Sequence, residues 1–271
     1  MNLEGATVVD GFPSVGLVSS IAATSLISNL NLDQIAALDS TEFPPLSMVY
    51  ETRPKFPARI YASEQLKLAV FLSEFTPEPH LDRYLAKTIL SWAREHYCSL
   101  IVSPVGVPID EESKNWLGPD PLGIGSTDRA RLRLSKAGIE QLRVGIIGGI
   151  SGILLNEGRW SNFDVISLAV GAQRQFPDAR AAAKVVRSLN RLQPEIRMDV
   201  KPLLDQAEEI ENRLRVLRKQ AAPVETAPKL EIYRFRFLTN RAIATAAIKP
   251  VTPTTSIFLI ANSPLHRRET S

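Results

Sequence analysis

The sequence predicts an α/β fold with three layers, in which helices cover both faces of a mostly parallel or mixed sheet. Short apolar runs rich in β-branched residues alternate with longer helical stretches, a pattern typical of βα units. Most of these runs are almost continuously apolar, as expected for strands that are covered on both faces. The segment 51–59 instead has the pattern of a hairpin, which predicts an antiparallel part in the sheet.

The apolar runs define the expected strands. In chain order they are Ala6–Asp10, Ile35–Asp39, Leu46–Glu51, Arg59–Ala62, Lys67–Ser73, Leu100–Ser103, Val144–Ile147 and Val165–Val170. The helices predicted between them are Val15–Leu30, Leu81–His96, Thr127–Ala137 and Asp178–Leu192. The first helix is apolar on almost every side and is therefore expected to be buried, whereas the second has its apolar residues at helical spacing. Thr127 is expected to cap the third helix, and Gly138 to end it.

Residues 199–220 predict a further helix that follows the α/β core domain of residues 1–198. Its apolar residues recur at alternating steps of three and four, which is the spacing of a heptad seam. The seam includes Leu203, Ile210, Leu214 and Leu217. Two interpretations remain open. The helix lies on its own domain, or it protrudes and packs against a second copy or a partner.

Residues 221–271 have the composition of a linker followed by a basic tail. Prolines and small residues recur in this segment, so we expect it to be largely flexible unless a partner orders it. Within it, Thr255–Ala261 has the pattern of a lone strand, for which the sequence suggests no pairing partner.

Composition and charge limit the classes of function. With 271 residues, 44% of them hydrophobic, the chain can bury a large core. The net charge of +3 comes mainly from the tail, so the main body is nearly neutral and nucleic-acid binding is not expected. The single Cys98 cannot form an internal disulfide, which fits a reducing compartment. Because no signal peptide or membrane span is recognisable, we expect a cytoplasmic protein with no membrane partner.

Fragments of catalytic motifs occur, but each lacks an essential residue. Gly11 and Gly16 have the spacing of a phosphate-binding loop, yet apolar residues stand where its lysine and hydroxyl are needed. Ser151 follows an apolar run, but Ile153 occupies the position at which a nucleophile elbow requires glycine. The three histidines show no metal-ligand spacing. The sequence therefore predicts no catalytic residue, no cofactor and no metal.

Several segments together resemble one protein family. They are Gly11–Val18, Asp39–Pro45, Arg59–Ala62, Gly148–Leu155 and Pro177–Ala182. In order and type they resemble the archaeal and bacterial relatives of the second subunit of the eukaryotic proteasome assembly chaperone, over roughly residues 5 to 220. The resemblance implies an α/β fold like that of nucleoside phosphorylases. It also implies a non-enzymatic chaperone or adaptor, expected to be a homo-oligomer, that binds proteasome α-subunits or a related ring protein.

The C-terminal region contains a motif that the same resemblance makes a candidate for partner binding. Family members that dock on proteasomes often end in a hydrophobic residue, a tyrosine and any residue, and Ile232-Tyr233-Arg234 has that form. The terminal carboxylate of such a motif pairs with a lysine between ring subunits. Here 37 residues follow Arg234. Three explanations remain open: the tail is removed, it extends beyond the ancestral end, or the match is due to chance.

The predicted strand ends also suggest a remnant pocket. Its candidate lining residues are Gly11, Phe12, Pro13, Gly16, Asp39, Glu74, Gly149 and Ser151. Ligand sites of α/β proteins form at such strand ends. The alternative function is therefore an enzyme of nucleoside phosphorylase or hydrolase type that uses this pocket, a reading that rests on fold analogy alone.

Overall fold

The computed structural model describes residues 1–109, 118–174, 176–205 and 257–261, and ten strands lie in this part of the chain. In chain order they are β1 (Thr7–Gly11), β2 (Asp33–Ser40), β3 (Met48–Tyr50), β4 (Arg53–Lys55), β5 (Ala58–Ser63), β6 (Leu68–Ser73), β7 (Leu100–Pro108), β8 (Leu122–Gly125), β9 (Val165–Ala172) and β10 (Ile257–Ala261). The strands β3 and β4 form a separate hairpin. The other eight form one sheet in the order β10-β2-β5-β6-β1-β7-β9-β8.

The helices of the same part of the chain connect these strands. They are α1 (Val18–Asn29), α2 (Asp82–Glu95), α3 (Asp128–Lys136), α4 (Gly149–Trp160) and α5 (Ala179–Leu192). A single 3₁₀ turn precedes α1 and another precedes α2. Thr127 caps α3 as expected, since its side chain accepts a hydrogen bond from the Ala130 amide. None of the described helices is both long and apolar enough to cross a membrane.

The centre of the sheet is parallel and its flanks are antiparallel. The four central strands β6, β1, β7 and β9 run in the same direction. On one side the sheet continues through β5, β2 and β10 in antiparallel pairs, and on the other side β8 pairs antiparallel with β9. The predicted α/β fold is thereby confirmed, with a sheet that is mixed and has a parallel centre.

Two hydrophobic cores lie on opposite faces of the sheet. Because successive side chains of a strand point to opposite faces, Val9 belongs to the core that contains residues of α1 and α5, whereas Val8 belongs to the core with α2 and α4. The neighbouring strand alternates in the same way, with Val70 in the first core and Phe71 in the second. Helices thus cover both faces, which gives the three layers that the sequence predicts.

The predicted strand Val144–Ile147 is wrong. This segment is a loop between α3 and α4, in which Val144 and Ile146 are 87% and 91% exposed. A β-branched run favours a strand only where neighbouring strands and a core are available to it, and here β8 occupies the sheet edge beside β9. The strand β8 was not predicted, because a four-residue segment with two glycines gives little strand signal.

A hairpin is present, but β3 and β4 form it over residues 48–55 rather than over the predicted 51–59, and it is not part of the large sheet. Its two turn residues, Glu51 and Thr52, both have positive φ angles, of 48° and 66°. Two-residue turns of this kind match the right-handed twist of the strands that they connect. The predicted strand Leu46–Glu51 is therefore shorter than expected and ends before this turn.

The expectation that the strand near residues 255–261 has no partner is also wrong. In the structure β10 pairs antiparallel with β2, with Ile257 opposite Ser40 and Ala261 opposite Ala36. Pairing partners distant in sequence cannot be inferred from local pattern, because a strand signal carries no information on its neighbour. The edge of β2 is consequently covered by a segment from the end of the chain.

Candidate functional site

A cleft of about 380 Å³ lies beyond the carboxyl ends of the adjacent parallel strands β1 and β7. Its walls come from the turn after β1, the end of β7, the segment that precedes α2, and the beginning of α4. The helix that follows β1 packs on one face of the sheet, and α2 and α4 pack on the other. Crevices at such switch points are where open α/β sheets bind ligands.

A chain of hydrogen bonds connects the elements beneath the cleft. The buried Asp10 carboxylate accepts from the Phe12 amide at 3.0 Å and from the Ser103 hydroxyl at 2.7 Å. The Ser103 and Ser151 hydroxyl oxygens are 2.6 Å apart. Because Ser103 donates its proton to Asp10, Ser151 donates to Ser103. The chain therefore joins β1, β7 and the first turn of α4.

The environment of Asp10 makes its carboxyl group a weaker acid than usual. Asp10 is 2% exposed, and burial raises its pKa to about 6 although the hydrogen bonds from Ser103 and Phe12 act in the opposite direction. The negative charge of Asp82 contributes a smaller increase. Burial also raises the pKa of Asp82, which lies in the first turn of α2. The cleft thus contains two carboxyl groups that interact electrostatically.

The chemistry available in the cleft is that of acids and hydroxyls beside apolar walls. Among the described residues that line it, Asp10 and Asp82 are the only charged ones, and the walls are rich in proline, valine and isoleucine. A serine nucleophile needs an adjacent general base, and Ser151 contacts another hydroxyl. Across the described ranges, no three His, Cys, Asp or Glu residues are grouped so that they could hold a metal ion.

The structure brings together some of the residues predicted to line a remnant pocket. Phe12, Pro13, Gly149 and Ser151 all line the cleft. Gly11 lies behind it, where an added Cβ would collide with the Ala23 side chain and the Phe71 carbonyl oxygen, so its role is close packing of β1.

The other predicted lining residues lie elsewhere. Gly16 is in a separate cavity of about 410 Å³ that also contains Arg174. Asp39 lies on β2 opposite Phe258 of β10, near the far edge of the sheet. Glu74 lines a different cavity, described next. The predicted grouping of Asp39 with the glycine turn is therefore wrong, because β2 lies near the far edge of the sheet. Glu74 follows β6, the parallel neighbour of β1, and shares its cavity with Pro13 of the glycine turn, although it does not line the cleft.

Glu74 belongs to an ion pair beside a cavity of about 540 Å³ that α1 also lines. Its Oε1 atom accepts hydrogen bonds from the buried Arg59 guanidinium and from the Tyr50 hydroxyl, the latter at 2.6 Å. The hydrogen bond to Glu74 raises the pKa of Tyr50. These contacts connect β5, the end of β6 and the β3–β4 hairpin, so Glu74 has a structural role here.

The heptad seam contributes to the same cavity. Residues 201–205 are helical, and Leu203 is buried against the core that contains α1 and α5. The remaining partner-binding candidates are outside the described residues. They are Ile210, Leu214, Leu217, Ile232, Tyr233 and Arg234.

The sequence does not single out two acids of the cleft, Asp10 and Asp82, or the serine beneath it, Ser103. Asp10 is recognisable there only as an acid at a strand end. A serine followed by proline inside an apolar strand, as at Ser103-Pro104, is the signal that could have drawn attention to β7. Asp82 follows Pro79 and begins a helix, so it resembles an ordinary first-turn acid.

Fold and cleft together define a three-layer α/β protein with an acidic crevice at its topological switch point. The sequence profile of the PAC2 family matches residues 8–218, so the chain belongs to the PAC2 family. This confirms the resemblance to the proteasome assembly chaperone relatives inferred from the motifs.

Individual relatives support the same assignment. Pyrococcus furiosus PbaA, described as an archaeal homolog of proteasome-assembly chaperone, is 32% identical with a TM-score of 0.73, over 81% of this chain and 90% of PbaA. An uncharacterized protein of Methanocaldococcus jannaschii is 28% identical over 81% of this chain and 88% of that protein. Pyrococcus furiosus PbaB, described as an archaeal proteasome activator, is 20% identical with a TM-score of 0.67, over 80% of this chain and 95% of PbaB, and shows the fold alone.

Proposed function

We propose that the protein is a non-enzymatic proteasome assembly chaperone or adaptor that binds proteasome α-subunits or a related ring protein in the cytoplasm. The observation that carries the proposal is membership of the PAC2 family over residues 8–218, together with 32% identity to PbaA, a homolog of proteasome-assembly chaperone. We expect a homo-oligomer, because several weak contacts to a ring add through effective concentration.

The cleft is consistent with a role that does not depend on catalysis. A phosphorylase requires a positive group to hold phosphate, and the charged residues among the described lining are both carboxylates. The enzymatic alternative thus has no feature of the described cleft in its favour. Thermal-shift measurements with nucleosides and inorganic phosphate test it directly, because a bound ligand raises the melting temperature.

The C-terminal motif Ile232-Tyr233-Arg234 is the proposed contact with the ring. Its tyrosine and isoleucine would fill a groove between ring subunits, and a free carboxylate at Arg234 would pair with a lysine. The seam residues Ile210, Leu214 and Leu217 are proposed to support packing against a second copy or a partner, whereas Leu203, which the sequence grouped with them, packs on the core of its own domain. In this proposal the core domain positions the motif, and the motif supplies the contact.

Four chains of different length, the full one included, test the proposal by capture of purified α-subunits. A chain that ends at Arg234 should bind about tenfold or more tightly than a chain that ends at Gln220, since a charge-assisted pair contributes about 1.5–3 kcal/mol. One extra glycine after Arg234 is the matched control, because it displaces the carboxylate without removing the tyrosine. Equal capture by the chains ending at Gln220 and Arg234 would contradict the role of the motif. If no chain, including the full one, captures α-subunits, the proposed function is wrong.

A further inference from the structure

The cleft continues into an exposed apolar loop that no described residue covers. We call residues 144–147, between α3 and α4, the apolar loop; the exposed Arg143 immediately precedes it. Ile146 and Ile147 line the cleft, and Ile146 is at the same time almost fully exposed to solvent, as is Val144 two residues before it. Large aliphatic side chains presented in this way beside a concave apolar surface are typical of a protein–protein contact site.

The walls of the cleft suit an aliphatic occupant. Phe12, Pro13, Val105, Val107 and the two isoleucines supply apolar surface around the opening. Prolines hold part of this wall in fixed backbone conformations, so little conformational entropy is lost when a ligand binds. Because the apolar surface extends from the cleft onto the loop, it fits an extended segment of chain better than a compact small molecule.

The charge of the cleft is negative and lacks a basic partner. No ion pair joins Asp10 or Asp82 to a basic side chain in the described part of the chain. The basic residues that follow Asp82 on the same helix, Arg83 and Lys87, lie 3.8 and 4.0 Å from Glu157 instead. The N-termini of α1, α2 and α4 all contribute residues to the lining, and each carries about half a positive charge. Two ionised carboxylates therefore still leave the cleft with a net negative charge, of about half a unit, which attracts a cation.

We propose that the cleft and the apolar loop form a docking site for an extended segment of a partner protein that carries a lysine between aliphatic residues. The lysine ammonium enters the cleft and interacts with the carboxylates of Asp10 and Asp82. The aliphatic neighbours of the lysine bury Ile146 and Val144. Lysine suits the site better than arginine, because its compact ammonium can interact with two carboxylates without the planar, bidentate partner that a guanidinium prefers.

This site is separate from the C-terminal motif and does not depend on the proteasome as partner. It lies on the described core domain, at the strand ends of β1 and β7. A test can therefore use a synthetic probe and no proteasome component, so that its failure and the failure of the proposed function are distinguishable.

Fluorescence anisotropy with the full chain tests the proposal. The probe is a labelled heptapeptide with a central lysine between leucines and valines, and the control probe has glutamine at the centre. The lysine peptide should bind about tenfold more tightly, since a hydrogen bond to a charged group is worth about 1.5–3 kcal/mol. The difference should shrink as salt is added, because the partly exposed carboxylate of Asp82 is screened.

Two variants and one matched control locate the binding site. Ile146→Ser should weaken binding of both peptides about tenfold, because it removes aliphatic surface from the contact. Asp82→Asn should remove most of the preference for lysine over glutamine. Leu132→Ser is the control, since Leu132 is an exposed leucine on α3 that does not line the cleft. Absence of binding, equal affinity of the two peptides, or equal effects of Ile146→Ser and Leu132→Ser would each overturn the proposal.

Discussion

Burial of Asp10 makes the stability of the folded protein depend on pH. Its pKa is raised from 3.8 to about 6 by burial, so the folded state holds the Asp10 proton more tightly than the unfolded chain does. The contribution of Asp10 to stability is therefore greatest below about pH 4 and declines as the pH rises through 6. A shift of this size corresponds to about 3 kcal/mol between the two limits.

Asp10→Asn should remove this dependence, because an amide stays neutral and keeps the acceptor for the Phe12 amide. Urea unfolding at several pH values from 4 to 7 measures the effect. The free energy of unfolding of the variant, relative to the native chain, should rise over that range by about 2 kcal/mol, because part of the full difference lies below pH 4. Asp128→Asn, on the exposed start of α3, controls for the loss of one carboxylate. A constant difference between Asp10→Asn and the native chain would show that Asp10 does not titrate as described.

At the scale of elements, the sequence predicts the helices and strands that local pattern determines, and it misses those that depend on neighbouring elements in the fold. The helices α1, α2, α3 and α5 were predicted because their apolar spacing and end signals are local. The segment Val144–Ile147 has the same β-branched character as a core strand, yet it lies in the apolar loop. Exposure, which the sequence does not reveal, separates the two cases.

The same substitution, valine to serine, at an exposed and at a buried position tests the difference in exposure. Val144→Ser should change the free energy of unfolding by less than about 0.5 kcal/mol, because the side chain is already in water. Val102→Ser, in the fully buried centre of β7, should lower it by about 3 kcal/mol through lost apolar burial and a buried hydroxyl. Chemical denaturation of both variants gives the comparison. A large loss of stability in Val144→Ser would indicate that the apolar loop is packed against the protein.

At the scale of the whole molecule, the fold class and its layers could be predicted, whereas the cleft could be predicted only in part. Phe12, Pro13, Gly149 and Ser151 were found because glycine-rich turns are visible in the sequence. The bond between Ser103 and Asp10 spans 93 residues, and no local pattern connects them. The grouping of Asp39 with this cleft failed for a related reason, since it required the order of strands in the sheet. Glu74 follows the strand next to β1 and lines the cavity that also contains Pro13.

The pairing of β10 with β2 determines which strand lies at the edge of the molecule. Removal of β10 would leave the backbone amides and carbonyls on one side of β2 unpaired, and such edges promote association between chains. A chain that ends at residue 254 should therefore self-associate more than a chain that ends at Ser263, which keeps β10. Light scattering as a function of protein concentration measures this. Identical behaviour of the two chains would show that β10 does not protect the edge in solution.

The chain of hydroxyls beneath the cleft has one more consequence. While Asp10 is ionised, both serine protons point inward toward it, and Ser151 offers only lone pairs to an incoming group. Once Asp10 gains a proton it becomes a donor to Ser103, the order of donation can reverse, and the Ser151 hydroxyl is then able to offer its hydrogen outward. Protonation of one buried carboxyl group would thus convert a hydroxyl in the cleft wall from a hydrogen-bond acceptor into a donor for a bound ligand.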